Sequence, residues 1–474
     1  MPFVIWVTVS DSTCEQAAAL VQETQRHLET SHSFTIIQER LRLVKAGGKD
    51  CATDSTFKEI QPALYLELNQ AGADFTFQVH HDRPAVTVGS SFSELPPKLA
   101  GFLNSLLLEE KIAAANVLDA LASNRGEAQA FLASVPQDVR AKLENKAGRA
   151  FKSAPAYHLT LSLFTAGGAP SGWDIQSALR AHIEPLVHAL SSVAAFDITS
   201  QIQLYSSFTP SIQPRRHDGT EGSQLSQDDL TTFVNAAEWP LSPSIGSGPT
   251  INLVLYVPSK DQIPLTIEAL EATSWLIPQW GGIKILNPPL VTKPDTGAQV
   301  LPIHLDEAML TESFESFSEQ LLSLVGVPAL EFQGSLLPLA MRVDAFKRLT
   351  ALSLHLKGSA SLGSLARLAE HLSNIPIPRH VAQLVDDTIA NLGSCKALTQ
   401  EAKYNQALFH ARMAYEDSEK AFFDKSMVGM VYFPEEHKVA VYLPLLGPIG
   451  VPLFIGLLRE IKRLSNSFKK SNVA

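Results

Sequence analysis

The run "HHDRP", His80-His81-Asp82-Arg83-Pro84, holds the residue types of a metal site. Its spacing does not suit one, because adjacent histidines on a strand point to opposite faces and do not converge on one ion. A loop or strand end is the better reading. "EEHK", Glu435–Lys438, gathers two carboxylates and an imidazole beside an apolar segment, and reads as a solvated boundary. A thiol protease needs a cysteine with a histidine poised by the fold. Cys14 follows a strand-like stretch, Cys51 lies in a polar loop and Cys395 follows a helical stretch, so none stands in the setting of a nucleophile. These three cysteines form no disulfide framework and no CxxC. One pair could form in an oxidising compartment, and the count leaves both the pairing and the compartment open. G-x-S-x-G, P-loop, H-E-x-x-H and G-x-G-x-x-G motifs do not occur. No catalytic, cofactor-binding or metal residue is therefore assigned. A binding or scaffold role is favoured over a hydrolase with an unrecognised site.

The elements that carry these residues read as α/β. The chain has 474 residues, enough for two or three domains with a large core. A formal charge of −10 argues against a nucleic-acid partner. The basic run Arg215-Arg216-His217 is too small for a nucleic-acid groove and reads as polar loop. "MPFVIWVTVSDSTCEQ" has no basic n-region or small-residue cleavage site, so Phe3–Ser10 is expected as a strand rather than a signal peptide. A helix over Thr13–Thr30 and strands at Phe34–Val44, Ala63–Leu68 and Phe75–Val79 follow from periodicity, then helical runs from Ser93 to Lys152. Residues 1–150 thus form a first α/β unit. A second, over 151–330, starts with the alternating "YHLTLSLFTA". It continues through a helix at Trp173–Ser192, a returning strand in "AAFDITSQIQLYSSFTP", and strands in "TINLVLYVP", "WGGIKILNPP" and "QVLPIHL", then a helix at Leu305–Val325. Residues 331–430 have a 3.6-residue period and are expected as helices packed on the α/β core. Two motifs stand out structurally. Trp173 and Asp174 look like a helix start, the carboxylate suiting the first turn and the ring packing on the sheet. Trp280, Gly281 and Gly282 look like a tight bend, with glycine supplying the dihedrals and the indole filling a core.

Between Lys438 and Arg459 no charge occurs. An apolar helix of about 20 residues spans a bilayer core, so 439–458 is read as a transmembrane helix. Pro444, Pro448, Pro452 and Gly456 step by four and share one slowly drifting stripe. Each proline lacks an N–H, so Pro448 frees the carbonyl of Pro444 and Pro452 that of Pro448. Such groups are costly in hydrocarbon, and small residues favour close helix contact, so the stripe is expected to pack against other membrane helices. Arg459, Lys462, Arg463, Lys469 and Lys470 flank one end, while Lys438 stands beside Glu435 and Glu436 at the other. That asymmetry sets the topology: 459–474 is a basic cytoplasmic tail and the bulk of the chain lies across the membrane. The start of the chain offers nothing to begin translocation, so an upstream membrane segment is expected to be missing. The rival topology is a tail-anchored cytosolic adaptor.

Several stretches taken together and in order resemble the PIG-S family, the S subunit of the glycosylphosphatidylinositol (GPI) transamidase complex. They are "YHLTLSLFTA…GWDIQSALRAHIEPLVHAL", "FDITSQIQLY", "INLVLYVP", "WGGIKILN", "HLSNIPIPRHVAQLVDD" and "AFFDKSMVGMVYFPEEHKVAVYLPLLGPIGVP", followed by the basic tail. The resemblance runs from Tyr157 to Arg463. It implies a large lumenal α/β domain held between two membrane helices in the endoplasmic reticulum. It also implies a non-catalytic subunit of the five-part enzyme that removes a C-terminal signal peptide and joins the new carboxyl to GPI. The partners would be the other subunits, including the catalytic protease-like one that carries the cysteine and histidine, and the endoplasmic reticulum membrane. Nucleic acid and cofactors would play no part. The sequence departs from the family in lacking the first membrane helix, and "KKSNVA" has no lysines at dilysine-signal positions.

Overall fold

A computed structural model of the chain describes residues 1–10, 12–31, 36–51, 62–70, 75–80, 82–91, 93–148, 150–209, 212, 214–215, 222–234, 248–268, 273–294, 297–371, 377–425 and 435–471. His81, Arg216, His217, "SNIP" at 373–376 and "SMVGMVYFP" at 426–434 lie outside them.

The first sheet grows from β1 (Pro2–Val9), whose apolar, β-branched run is buried on both faces as a central parallel strand requires. Helix α1 (Cys14–Ser31) follows, then β2 (Gln38–Ala46), β3 (Lys49–Asp50), β4 (Leu64–Gln70), β5 (Thr76–Val79) and β6 (Ala85–Ser90). The spatial order is β3-β2-β1-β4-β6-β5. Strands β2, β1, β4 and β6 are parallel, and the two edge strands are antiparallel. Four helices come next: α2 (Leu95–Leu106), α3 (Leu108–Leu121), α4 (Gly126–Ser134) and α5 (Gln137–Ala147). Their apolar faces join the core that includes Phe3, Ile5, Leu66, Val88 and Leu103. Strand β6 is absent from the sequence expectation. In "AVTVGS" the apolar residues Ala85, Val86 and Val88 do not alternate strictly with polar ones, so the period-2 signal is weak.

The second sheet begins with β7 (Ala156–Thr165), β8 (Gly172–Trp173), α6 (Ile175–Ala178), α7 (Glu184–Leu190) and β9 (Ala195–Gln203). The helix expected at Trp173–Ser192 is interrupted by a π turn at Leu179–Ile183. There the Glu184 N–H reaches back five residues to the Leu179 carbonyl, which widens the helix just before Pro185. A wide turn admits a ring that would crowd a carbonyl in a regular helix. Past the run Arg215-Arg216-His217 come β10 (Ser223–Leu225) and α8 (Asp229–Thr232). Then come β11 (Thr250–Val257), β12 (Leu265–Ile267), β13 (Ser274–Ile277) and β14 (Gly281–Ile285). The order β13-β14-β11-β7-β9 is parallel except for β13. "QVLPIHL" is two short strands, not one. Strand β15 (Val291–Thr292) pairs with β16 (Gln299–Val300), while β17 (His304–Leu305) pairs with β8. Helix α9 (Glu307–Val325) starts where the Asp306 carboxylate accepts the Met309 N–H and stops at Gly326, φ 96°.

Strands β18 (Glu331–Phe332) and β19 (Ser335–Leu336) form a hairpin ahead of α10 (Leu339–His371), α11 (Arg379–Gln400), α12 (Tyr404–Phe422) and α13 (Glu435–Ser471). The chain divides into two compact units. One holds Met1–Leu356 with Gly393–Arg412, and the other Lys357–Leu392 with Met413–Ala474. In the first unit, α10 bonds to helices of both sheets. Arg342 forms a two-pronged ion pair with Glu319 of α9, and Arg348 another with Glu110 of α3. Arg348 also lies over the rings of Phe3 and Tyr404, at 4.9 and 5.6 Å from their centroids. The Tyr404 hydroxyl donates to the Pro2 carbonyl, 402 residues away in sequence. In the second unit, Leu365, Val381 and Ala421 form a small core, and Ser361 donates to Glu419 at 2.6 Å.

Candidate functional site

The C-terminal helix is the feature with the plainest functional chemistry. Its apolar portion, Ala440–Arg463, has a mean hydropathy of 2.0 and none of it is buried. Leu445, Leu453 and Phe454 are among its many exposed apolar side chains. A core helix would hide one face, so this one is built for an apolar solvent. It continues through Pro444, Pro448 and Pro452, and extends past the expected 439–458 on both sides. The positions of Gly447, Gly450 and Gly456 open onto empty space. No part of the described chain covers the stripe formed by Pro444, Pro448, Pro452 and Gly456. Arg459, Lys462 and Arg463 follow it on the same helix, exposed to solvent, and Lys469 and Lys470 occupy its last helical turns.

The two tryptophan motifs hold the second sheet. Trp173 closes β8 and is buried, its ring 6.2 Å from that of Phe314 of α9. Asp174 precedes α6, yet its carboxylate does not cap that helix. It accepts from His304 Nε2 at 2.8 Å, fastening β8 to β17. Trp280 packs beside the cluster of Phe164, Phe233, Tyr256 and Ile283. Neither Gly281 nor Gly282 has a positive φ, so the dihedral expectation fails. Space is the reason for both. A Cβ on Gly281 would stand 1.9 Å from the Asn252 carbonyl oxygen, and one on Gly282 2.0 Å from Gln320 Oε1. Gln320 reaches in from α9 to donate to the carbonyls of Trp275 and Ile283, tying helix to sheet.

The other chemistry-bearing residues are committed to structure. His80, just past β5, is 2.8 Å from the Thr87 hydroxyl, which donates to Glu67, and Arg83 pairs with Glu67 at 3.2 Å. No group able to hold a metal ion occurs among the described residues. Cys14 and Cys51 form a disulfide, with Cα atoms 5.7 Å apart. Cys395 lies inside α11, not after a helix, and is a buried free thiol. It shares a cavity of about 220 Å³ with His355, Lys396 and Thr399, a meeting of thiol and imidazole that their spacing of 40 residues in sequence does not signal. Burial pushes the Cys395 thiol up and the His355 imidazole down, the latter aided by the Lys396 charge. Both shifts favour neutral forms, the reverse of an activated thiolate–imidazolium pair.

An α/β body bearing a C-terminal helix apolar enough to cross a bilayer is the architecture of a membrane-anchored α/β protein. The polar side chains described above serve to join its elements. The chain belongs to the PIG-S family: the model of that family, described as phosphatidylinositol-glycan biosynthesis class S protein, matches residues 1–467. The match takes in the first α/β unit as well as Tyr157–Arg463, where the motif resemblance lies. A relative from Schizosaccharomyces pombe, the GPI transamidase component PIG-S homolog, is 32% identical over 336 residues, or 69% of this chain and 57% of its own length. The GPI-anchor transamidase component PIGS of Bos taurus is 28% identical over 435 residues, 87% of this chain and 77% of its own length. The protein of the same name from Homo sapiens is 26% identical over 444 residues, 89% of this chain and 78% of its own length.

Proposed function

We propose that this chain is a non-catalytic, scaffold-type subunit of the endoplasmic reticulum GPI transamidase, the complex that attaches GPI anchors to proteins. The observation that carries this reading is the family match across residues 1–467, with relatives named as components of that transamidase. Its partners are the other subunits, including the protease-like catalytic one, and the membrane. A buried thiol held in its protonated form supports placing the catalysis elsewhere.

The bulk of the chain is lumenal and the tail cytoplasmic in this reading. The basic flank Arg459, Lys462, Arg463, Lys469 and Lys470 supports that direction. So does the Cys14–Cys51 disulfide, since such bonds persist in oxidising compartments. Affinity purification in mild detergent followed by mass spectrometry should recover the other transamidase subunits. Recovery of this chain without them would overturn the proposal. Stoichiometric labelling of the isolated protein by a thiol- or serine-directed probe would instead favour a membrane-anchored hydrolase. Degradation of its bulk by protease added to sealed microsomes would favour the tail-anchored adaptor.

A further inference from the structure

Parallel sheets are ordinarily covered on both faces, and the two large sheets of this chain differ in that respect. In the second, the central strand β11 is buried at every residue from Ile251 to Val257. In the first, the central strand β4 alternates instead. Leu64, Leu66 and Leu68 are buried in the core shared with α1 and α2, while Tyr65 is exposed and Glu67 half-buried. Strand β1, buried through Ile5, opens likewise at Trp6 and Thr8. Residues paired in register share a face. That places Arg40, Arg42 and Lys45 of β2, Trp6 of β1, and Tyr65 and Glu67 of β4 together on the side away from this core. At the start of this face, Val4 and Ala63 share a cavity of about 230 Å³ with Asp344 and Lys347 of α10 and Tyr404 of α12. Beyond it the face is open: Tyr65 is 42% exposed, and Arg40 and Lys45 are exposed.

The residue types on this face are those of an interface centre. Trp6 and Tyr65 meet edge to face at 5.9 Å, beside Arg40 and Arg42, and Trp, Tyr and Arg are the residues enriched at interface hot spots. The two carboxylates on its strands already have cations. Glu67 pairs with Arg83 at 3.2 Å, and Asp50, opposite Lys45 at the sheet edge, pairs with it at 3.8 Å. Arg40 and Arg42 therefore leave the face positive, on a chain whose formal charge is −10.

We propose that this face docks an acidic, amphipathic helix of another protein chain, its apolar side on the Trp6–Tyr65 pair and its carboxylates toward Arg40 and Arg42. Helices are the usual cover of a parallel sheet. Strands β2, β1, β4 and β6 span about 15 Å at about 4.8 Å per step, and a helix with its side chains is about 10–12 Å across. A second copy of this chain is the wrong occupant, because a two-fold contact would set the arginines of one face against those of the other. The proposal rests on the subunit reading only in taking this helix from another transamidase subunit.

The test places a photo-crosslinking residue on the face, Tyr65→benzoylphenylalanine, in the full chain expressed in cells. After irradiation and purification in mild detergent, mass spectrometry identifies the peptide joined to position 65. The expected partner is an acidic helical segment of another transamidase subunit. Arg40→Glu with Arg42→Glu should lower the yield of this product at least about tenfold, since opposed like charges suppress a partner. Arg40→Lys with Arg42→Lys should retain it, and equal unfolding midpoints of the two variants separate the charge effect from misfolding. A cross-link to this chain's own sequence or to a segment without acidic residues overturns the proposal. So does the absence of any cross-link, or an undiminished yield from the glutamate variant. Failure of the other subunits to co-purify overturns the subunit reading instead, and a cross-link to an acidic helix of an unrelated protein would then uphold the face alone.

Discussion

Gly281 and Gly282 are adjacent, but their spaces are closed by different things. A Cβ at Gly281 meets backbone, the Asn252 carbonyl across the parallel pairing of β11 and β14. A Cβ at Gly282 meets the end of the Gln320 side chain, which can swing aside at the cost of its two bonds to the sheet. Gly281→Ala should therefore lose more stability than Gly282→Ala, with the second inside the range of about 1–3 kcal/mol typical of overpacking and the first at or above its upper end. Thermal unfolding of the two variants checks the order; equal losses would contradict it. The sequence marks this pair as special without saying why. Turn chemistry is local and legible, whereas the oxygen that excludes a Cβ belongs to a strand about 30 residues earlier and depends on register. Asp174 was likewise legible as the residue before a helix, but its partner His304 lies 130 residues away.

Two helices carry the predictions at the scale of elements. Arg348 and Glu110 are both almost fully buried, with 1% and 2% of their side chains exposed. Arg348→Ala leaves the Glu110 charge without its partner and should cost about 3–5 kcal/mol, whereas Arg348→Met with Glu110→Leu should recover most of it. A double variant no more stable than the single one, in chemical denaturation, would show that packing of the arginine stem matters more than charge. In α13 the test is Pro448→Leu with Pro452→Leu. These restore two N–H groups and fill the stripe, so the isolated helix gains stability while neighbouring helices lose their close approach. Partner recovery in mild detergent should fall, and unchanged recovery would remove the packing role of the stripe. Long periodic elements such as α9, α10 and α13 were legible because their pattern repeats over many turns. The short elements β3, β10 and β15 were not, since two or three residues carry no period and are held by pairing alone.

At the scale of the molecule, both sheets were legible as α/β units from alternation and from the strand–helix–strand order that forces parallel pairing. The bond between Cys14 and Cys51 was not, because spacing alone leaves every pairing open. Closing a loop of 37 residues contributes about 3–4 kcal/mol by chain entropy. Cys14→Ser should lower the unfolding midpoint by a corresponding amount under oxidising conditions, and added reductant should remove the difference from wild type. In cells the pair should resist alkylation until reduced, while a freely alkylated pair in unreduced extracts would place the first unit in a reducing compartment.

The bond from Tyr404 to Pro2 sets an order of events in biosynthesis. Strand β1 leaves the ribosome ahead of the other described strands, yet the aromatic ring and the guanidinium that close over its first residues arrive about 350–400 residues later. At about 5–20 residues per second, that is a delay of roughly 20–80 s. Through that interval β1 stands beside a gap that later residues fill, so an early segment is completed late. Truncation shortly before Tyr404 would leave a largely synthesised chain with β1 uncovered, a state suited to capture by chaperones and not to assembly.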